Sequence, residues 1–454
     1  MKSKKSVYEI IIVGGGVTGT ADAFVLPRFT NVRKILLLEK WAELATVNSH
    51  PRNNAQTSHG GDTETNYSVR HALEVRQYSI FLRRYVASKH DPNLYRKHLR
   101  MALAVTPEEV AMLETRYQNI KDYYPVRLAY GKELAQIEPK VMEGRNPNAP
   151  ICALVSTDGF IVNYQKLAEY FFRDAKFINP NFEHRFNTPV LDIKRIGDIY
   201  VLTTPEEVFY GKTVIFAAGP YSLYFAQKLG YGLDNAILPV AGSFMESRGW
   251  LNNKVYRCQV EGRPFAEIHG DPDILDMTMT RFGPTTKPLP LMERHHYGTF
   301  WDFLRLPLVS SLRGLASLIK IIWKKDLFLY VIKNIAFDLP IIGKALFLRE
   351  IRKIVPTIRY RDLRFRRGAG GIRPQIVNLN TGELEMGDAS LVGDNIIFNT
   401  TPSPGASVCL GNAQRDAKRI VEFLNKQTSG EYYFDEEAFQ RELGELSQSK
   451  SKPA

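Results

Sequence analysis

The sequence has little cysteine. Its 454 residues include Cys152, Cys258 and Cys409, which are far apart and form no Cys-x-x-Cys pair. This spacing excludes a disulfide framework and a cysteine-based zinc site as reasonable expectations, and it is typical of a reducing compartment.

The sequence also lacks a long uninterrupted hydrophobic run. The apolar segment 10–13 is too short for the core of a secretory signal and has no cleavage site after it. The most apolar stretch, 327–348, contains Lys333, Asp338 and Pro340, which are unfavourable at the centre of a bilayer. We therefore expect no transmembrane helix and only peripheral contact with a membrane.

Positive charge is unevenly distributed along the chain. The formal net charge is +12, and residues 300–367 contain 15 Lys and Arg against five Asp and Glu, a local excess of +10. A basic surface of this kind suits anionic lipid or nucleic acid. The length exceeds that of one ordinary domain, so two domains are expected.

The first forty residues predict a nucleotide-binding unit. A strand over 8–13, the glycine turn 14–19, a helix from Val17 to about Leu26 and a strand over 34–39 follow one another, and Pro27 is expected to end or kink the helix. The turn reads GxGxxG, in which Gly16 allows the backbone to approach a pyrophosphate at the helix N-terminus. Glu39 ends the second strand, where a carboxylate can bind a ribose diol.

Similar elements recur in the middle and at the end of the chain. Short strands are predicted over 190–194, 199–203, 207–209 and 213–218, and a last strand over 395–400 precedes a helix over 406–424. We expect an α/β fold, α+β overall: a Rossmann-like domain from residues 1–85, 150–236 and 362–428, plus a β-rich substrate domain with helices from 86–149 and 237–361. Residues 429–454 form a C-terminal tail.

Seven segments form an ordered set of motifs along the chain: 53–59, 64–67, 238–244, 269–273, 281–284, 371–375 and 403–406. With these motifs the chain resembles one known family, the malate:quinone oxidoreductases of the D-amino-acid-oxidase-like flavoproteins, from Ile10 to about Leu424. Many members read NNAGTGH where this chain has Gln56 and Ser58 in place of glycines. In these changes the chain is similar to the epsilon-proteobacterial branch of the family.

The resemblance implies FAD as cofactor, malate as substrate, a quinone as electron acceptor and a place on the inner face of the cell membrane. It also assigns the active-site histidine to His269, the expected proton acceptor, near the end of the apolar run 264–268. Asp271 is expected to orient His269 or to end the strand; the pattern His269-x-Asp271-x-Asp273 favours no metal site, because further ligands are not evident.

The remaining site residues follow from what a dicarboxylate and a flavin require. Arg281 and Arg373 are the expected carboxylate anchors, both also counted as catalytic, and Gln375 shares a strand face with Arg373. Gln56 and His59, in the loop after the second strand, are expected to line the flavin or the substrate, or to support that loop. The predicted cofactor-binding residues are Gly14, Gly16, Val17, Thr18, Gly19, Glu39, Lys40, Val190, Ala218, Gly219, Gly371, Pro404, Gly405, Ala406 and Ser407.

The basic segment also has helical periodicity. Apolar residues fall at 312, 315, 316, 319, 322 and 323, with Arg313, Lys320 and Lys324 on a neighbouring face. This composition favours interfacial helices, within 300–352, on anionic lipid. The alternative is that these helices pack their apolar face against their own domain.

Two other functions remain open from the sequence. An L-2-hydroxyglutarate or other 2-hydroxy-acid dehydrogenase or oxidase on the same fold would differ by one methylene in its substrate. A flavin-bearing binding protein would be a non-enzymatic reading. Binding to nucleic acid is not expected, because the basic residues flank aliphatic helical stripes and not a groove of stacking aromatics.

Overall fold

A computed structural model describes residues 6–259, 267–306, 310–323, 325–337, 339, 341–384, 390–400, 404–428 and 430–444. The helices in these ranges are α1 (Val17–Phe29), α2 (Val69–Ser88), α3 (Pro107–Ile120), α4 (Gly131–Ile137), α5 (Pro139–Met142), α6 (Tyr164–Ile178), α7 (Tyr221–Lys228), α8 (Phe300–Leu304), α9 (Leu312–Trp323), α10 (Lys325–Ala336), α11 (Ile342–Ile351), α12 (Cys409–Gln427) and α13 (Glu436–Leu443).

The strands form three sheets within the same ranges. They are β1 (Val7–Val13), β2 (Ile35–Leu38), β3 (Tyr95–Ala104), β4 (Val126–Tyr130), β5 (Cys152–Val162), β6 (Glu183–Arg185), β7 (Asp192–Ile196), β8 (Ile199–Thr203), β9 (Val208–Phe216), β10 (Asn235–Ala241), β11 (Met245–Arg248), β12 (Lys254–Arg257), β13 (His269–Asp273), β14 (Asp276–Gly283), β15 (Lys287–Pro288), β16 (Arg364–Phe365), β17 (Ile372–Asn378), β18 (Glu383–Leu384), β19 (Ser390–Gly393) and β20 (Ile396–Asn399).

The first sheet has the order β19-β20-β9-β1-β2-β6. In addition, β8 pairs with β9 and with β7. Its central strands β20, β9, β1, β2 and β6 are parallel. Strands β20, β9, β1 and β2 bury apolar side chains on both faces, where α1, α2, α6 and α12 cover one face and α7 lies against the other. The sheet therefore takes strands from the start, the middle and the end of the chain, which confirms that prediction.

The second sheet runs β16-β11-β14-β13-β12-β3-β5-β4 and is mostly antiparallel. A third, smaller sheet has the order β15-β10-β17-β18. Strand β5 begins at Cys152 and pairs with β3 and β4 in the second sheet, although the proposed boundary assigns residues from 150 to the nucleotide-binding domain. The division into domains remains a prediction.

Several local predictions need correction. Helix α1 continues two residues beyond Pro27, because a proline in the last turn removes one hydrogen bond while the helix is buried nearly all round. The two strands predicted over 207–218 are the single strand β9, since residues 210 and 211 keep pairing with β1. The helical stretch 301–352 is divided into α8 to α11.

Two further predictions fall at the limits of the described ranges. His269 begins β13 and does not follow a described strand, and residues 264–266 of the expected apolar run lie outside the described residues. Helix α12 begins at Cys409, three residues later than predicted, after a turn over 404–408. Helix α3 is capped at its N-terminus, where the Thr106 side chain accepts a hydrogen bond from the Glu109 N–H.

Candidate active site

A cavity of about 600 Å³ lies at the carboxyl ends of β1, β2 and β9. Its wall continues over the loop 45–59, the ends of β10 and β17, and the turn 404–407. Ligands of open α/β sheets bind at this edge, and the volume falls within the range of about 300–1,000 Å³ found for ligand pockets.

The glycine turn forms one end of this cavity. Gly14 has φ +113°, and a Cβ there would lie 2.4 Å from the Ala217 carbonyl oxygen. A Cβ on Gly19 would lie 2.0 Å from the Gly14 carbonyl oxygen, so this glycine permits close packing of α1. Gly16, Val17 and Thr18 line the cavity, where the N-terminus of α1 favours an anion. These residues fit a bound diphosphate.

Glu39 and Lys40 lie at the neighbouring part of the wall. The buried Glu39 carboxylate accepts hydrogen bonds from the Gly15 N–H at 2.6 Å and from the Trp41 N–H at 2.9 Å. Burial raises the pKa of Glu39 although these N–H groups oppose it. Lys40 Nζ lies 2.5 Å from Glu293 Oε1. The position of Glu39 beside the glycine turn is the one that a ribose diol would contact.

The opposite end brings three distant segments together. Asn48 Oδ1 accepts the Ile372 N–H at 3.0 Å, which joins the loop 45–59 to β17. Ser407 Oγ accepts the His59 N–H at 2.9 Å and donates to the Thr57 carbonyl oxygen at 3.2 Å.

Fourteen of the fifteen predicted cofactor residues line the cavity among the described residues; Gly19, packed against Gly14, is the exception.

His59 lies on the cavity wall with a carboxylate partner. Its side chain is 22% exposed, and Nδ1 is 2.6 Å from Oε1 of the buried Glu64. Burial alone would raise the pKa of Glu64, but Arg100 and the His59 hydrogen bond lower it to about 2. Arg100 is fully buried and pairs with Asp62. A histidine held by an ionised carboxylate is therefore accessible from the cavity.

Gln56 is a fully buried support of the loop, although its backbone also contributes to the cavity wall. Its φ is +55°, in the left-handed region that favours glycine, which explains why a glycine suits this position in the family pattern. The side-chain amide donates to the Pro51 carbonyl oxygen and to Asp273, and it accepts the Ile274 N–H at 2.9 Å. These bonds compensate for the backbone conformation.

His269 and Arg281 belong to a separate buried ionic cluster. His269 Nδ1 lies 2.6 Å from Asp271 Oδ1, and Arg281 donates to Asp271 Oδ2 at 2.6 Å. Arg281 also donates to carbonyl oxygens of the loop, including that of Asn54 at 3.1 Å. Burial, followed by the nearby Lys254, lowers the pKa of His269 to about 4. A substrate carboxylate would have to displace the partners that Arg281 has here.

The two residues predicted on β17 differ in position. Arg373 lines the cavity, whereas Gln375 is buried. Arg281, His269 and Gln375 are not among the described residues that line the cavity. Whether any of these side chains contacts substrate remains a prediction.

Glu64, Arg100 and Lys254 were not predicted from the sequence. Glu64 stands in a quoted motif only five residues after His59, so the pairing could have been considered. Arg100 and Lys254 lie in strands β3 and β12 and are fully buried. Neither strand is an apolar run in which one charge would stand out, because β3 also contains Arg96 and Lys97 and β12 reads Lys-Val-Tyr-Arg.

Comparisons with known proteins agree on one family of flavin-dependent oxidoreductases. Residues 9–414 match the family described as FAD dependent oxidoreductase. A probable malate:quinone oxidoreductase of Campylobacter jejuni is 36% identical, covering 96% of this chain and 99% of that protein. The malate:quinone oxidoreductase of Helicobacter pylori strain J99 is 34% identical, covering 94% of this chain and 97% of that protein.

Solved structures share the fold at lower identity. An L-α-glycerophosphate oxidase from Mycoplasma pneumoniae, with FAD bound, has a TM-score of 0.65 and 18% identity, covering 92% of this chain and 95% of that one. A glycine oxidase from Geobacillus kaustophilus has a TM-score of 0.63 and 18% identity, covering 91% and 94%. The FAD-dependent fold class expected from the sequence is therefore confirmed.

We predict that Gly16→Val weakens FAD binding by more than about tenfold, or ~1.4 kcal/mol. A Cβ at position 16 meets only the Ser49 hydroxyl, at 3.4 Å, so the side chain would mainly extend into the path of the pyrophosphate. FAD titration and circular dichroism measure binding and folding. Gly298→Val is the matched control, because a Cβ there meets nothing within 4 Å. A folded Gly16→Val protein with full FAD content would contradict the prediction.

Proposed function

The chain belongs to the FAD dependent oxidoreductase family, and on that premise we propose that it oxidises malate to oxaloacetate and passes the electrons to a membrane quinone. The observation that carries this proposal is the 34–36% identity to malate:quinone oxidoreductases over nearly the full length of both chains. The cavity supports it, because it joins a dinucleotide cradle to a wall containing Arg373 and His59.

The glycine turn 14–19, Glu39 and the turn 404–407 would hold FAD, which would supply hydride acceptance and two-electron transfer to the acceptor. The chain itself has to orient a dicarboxylate and to accept the hydroxyl proton. Arg373 supports the first task, since a guanidinium on the cavity wall can hold a carboxylate with two parallel hydrogen bonds. Arg281 stays a proposed second anchor.

Two histidines are candidates for the second task. The resemblance assigns it to His269, which remains a proposal, while His59 has a ring on the cavity wall. Both rings have a carboxylate at Nδ1, Asp271 and Glu64 respectively, at 2.6 Å. Access to the substrate is therefore the property that separates them.

We predict that malate bleaches the oxidised flavin spectrum without oxygen, and at least about tenfold faster than lactate or 2-hydroxyglutarate. Lactate lacks the second carboxylate, and 2-hydroxyglutarate adds one methylene, a difference that hydrophobic pockets discriminate by about 10- to 200-fold. Anaerobic stopped-flow spectroscopy measures the rates. If 2-hydroxyglutarate reduced the flavin faster than malate, 2-hydroxyglutarate and not malate would be the substrate.

We also predict that Arg373→Lys raises the malate concentration for half-maximal flavin reduction more than tenfold, by ~1.4 kcal/mol or more. Lysine keeps the charge but loses the planar pair of donors that fits a carboxylate. The same anaerobic experiment measures the change, and Arg367→Lys, at an exposed arginine six residues earlier, is the matched control. An unchanged concentration dependence would assign Arg373 a structural role.

For the membrane we propose that α9 and α10 lie on anionic lipid at the inner face of the cell membrane. Exposed apolar side chains on these helices support this: Leu312 is 87% exposed, Ile319 56% and Leu329 54%. Arg313 and Lys320 are exposed on α9, so positive charge accompanies the apolar face. Lys324 lies outside the described residues.

The helices are also close to the cavity. The Asn334 side chain on α10 accepts the N–H of Thr286, a residue of the cavity wall, at 2.8 Å. Ser317 on α9 donates to the Leu379 carbonyl oxygen after β17. The described residues contain no helix long and apolar enough to cross a bilayer. A lipid-soluble acceptor would therefore be met at the membrane surface.

We predict that Arg313, Lys320 and Lys324 changed together to Glu release the protein from anionic liposomes by more than about tenfold, since each nearby cation contributes about 1 kcal/mol. Turnover with a long-tailed quinone should fall while turnover with a soluble dye acceptor stays. Salt should weaken binding only in part, because apolar burial is not screened. Liposome sedimentation measures the binding.

The control variant changes Lys132, Lys194 and Lys426 to Glu, which alters net charge equally at exposed positions on other elements. It should bind liposomes like the parent. Two outcomes would show that α9 and α10 do not bind the membrane. In one, both variants bind liposomes equally well; in the other, the Arg313, Lys320 and Lys324 variant loses turnover with the quinone and with the soluble dye to the same extent.

A further inference from the structure

The carboxylate beside His59 is held by groups that keep it ionised. Glu64 Oε2 accepts the Gly61 N–H at 2.9 Å, while Oε1 lies 2.6 Å from His59 Nδ1. The guanidinium of Arg100, donating to the Ser58 carbonyl oxygen at 2.6 Å, is the strongest charge that stabilises the anion. Burial opposes ionisation, but the net result is a pKa of about 2 for Glu64.

An ionised carboxylate fixes the tautomer of the imidazole. Because Glu64 carries no proton, it can only accept, so the hydrogen of the neutral ring resides on Nδ1 and is donated to Oε1. The lone pair is then on Nε2. The backbone of His59 is held as well, since its N–H donates to Ser407 Oγ at 2.9 Å. Glu64 therefore orients the ring of His59, and Ser407 holds its backbone.

Charges from several elements act on this pair. Arg100 comes from β3, Arg83 from α2 and Arg116 from α3, and Arg116 donates to the Gly61 carbonyl oxygen at 2.8 Å. The groups that interact electrostatically with Glu64, besides His59, are Asp62, Tyr67, Arg83, Arg100, Arg116, Tyr124 and Tyr256. Tyr67 also interacts with Arg373, so the pair and the proposed carboxylate anchor share a neighbour.

We infer that His59 accepts the hydroxyl proton of the substrate at Nε2 and that Glu64 is its positioning residue. The inference rests on the proposed function. As the substrate O–H bond breaks, an Nε2–H bond forms, and the electron pair of the C–H bond leaves with the hydride to the FAD. Glu64 stabilises the resulting imidazolium and remains ionised itself.

His269 is less suited to this role. It is 2% exposed and lies beside Lys254, Arg281 and Asp271. Its pKa of about 4, lowered by burial and then by Lys254, makes it a weak base at neutral pH. His269 then acts through the buried cluster that holds the loop 51–59.

The test compares anaerobic flavin reduction by malate in four variants across pH. His59→Asn should lower the rate on the order of 10² or more and remove its dependence on a basic group, whereas His269→Asn should change it less than about tenfold. Glu64→Gln should lower the rate and shift the apparent pKa of the profile downward, because the imidazolium loses its anionic partner. In the double variant His59→Asn/Glu64→Gln, the losses of rate caused by the two single substitutions should not add.

Glu138→Gln is the matched control for removing a buried carboxylate. Glu138 is fully buried and accepts the N–H groups of Asn252 and Asn253, and none of its hydrogen bonds within the described part of the chain is to a histidine. Its loss should lower thermal stability and leave the pH profile unchanged. A Glu64→Gln variant that behaves in the same way would reduce Glu64 to a structural role.

A second measurement needs neither turnover nor a Glu64 variant. Nitrogen NMR of the histidine-labelled parent should show the His59 ring, identified by its absence in His59→Asn, with hydrogen on Nδ1. Hydrogen on Nε2, or an unchanged reduction rate in His59→Asn, would overturn the inference while malate oxidation stands. If malate does not reduce the parent flavin, the proposed function fails, and the tautomer still reports on the pairing with Glu64.

Discussion

The loop 51–59 depends on buried cations of the second sheet. Arg281 on β14 donates to the carbonyl oxygens of Pro51 and Asn54, Lys254 on β12 donates to that of Ala55 at 3.2 Å, and Arg100 on β3 donates to that of Ser58. Removing three cations from water is unfavourable, and Asp271 and Asp62 offset the cost by pairing with them. The sheet therefore holds the backbone of a loop that has no regular hydrogen-bond ladder.

The opposite side of this loop forms the cavity wall. Gln56 fixes the turn from within, and His59 is oriented by Glu64. This part of the cavity wall therefore depends on buried polar side chains, together with the pairing of Thr57 with Ile161 of β5. The dinucleotide end differs, because there Gly14 and Gly19 are required by the close approach of β1, α1 and the segment after β9. One cavity is thus built by two different kinds of interaction.

This difference explains how much the sequence could predict. The dinucleotide end is encoded locally: a strand, three glycines, a helix and Glu39 stand within forty residues, and the structure brings them to one place. The buried cluster joins β3, β12, β13 and β14, whose pairing cannot be read from periodicity, so Arg100 and Lys254 were missed and the buried partners of Arg281 were not foreseen. Exposure of the apolar face of α9 was likewise undetermined, because a packed helix has the same periodicity.

The origin of the first sheet has a consequence for biosynthesis. Strand β20 pairs with β9, and the turn 404–407 closes the cavity against the loop 45–59, so the cofactor site lacks a wall until some four hundred residues have left the ribosome. Contacts between such distant segments form slowly, and β9 has an unpaired edge until β20 has been synthesised. Bound flavin can therefore stabilise the complete site only after the segment 396–407 has docked on β9 and on the loop 45–59.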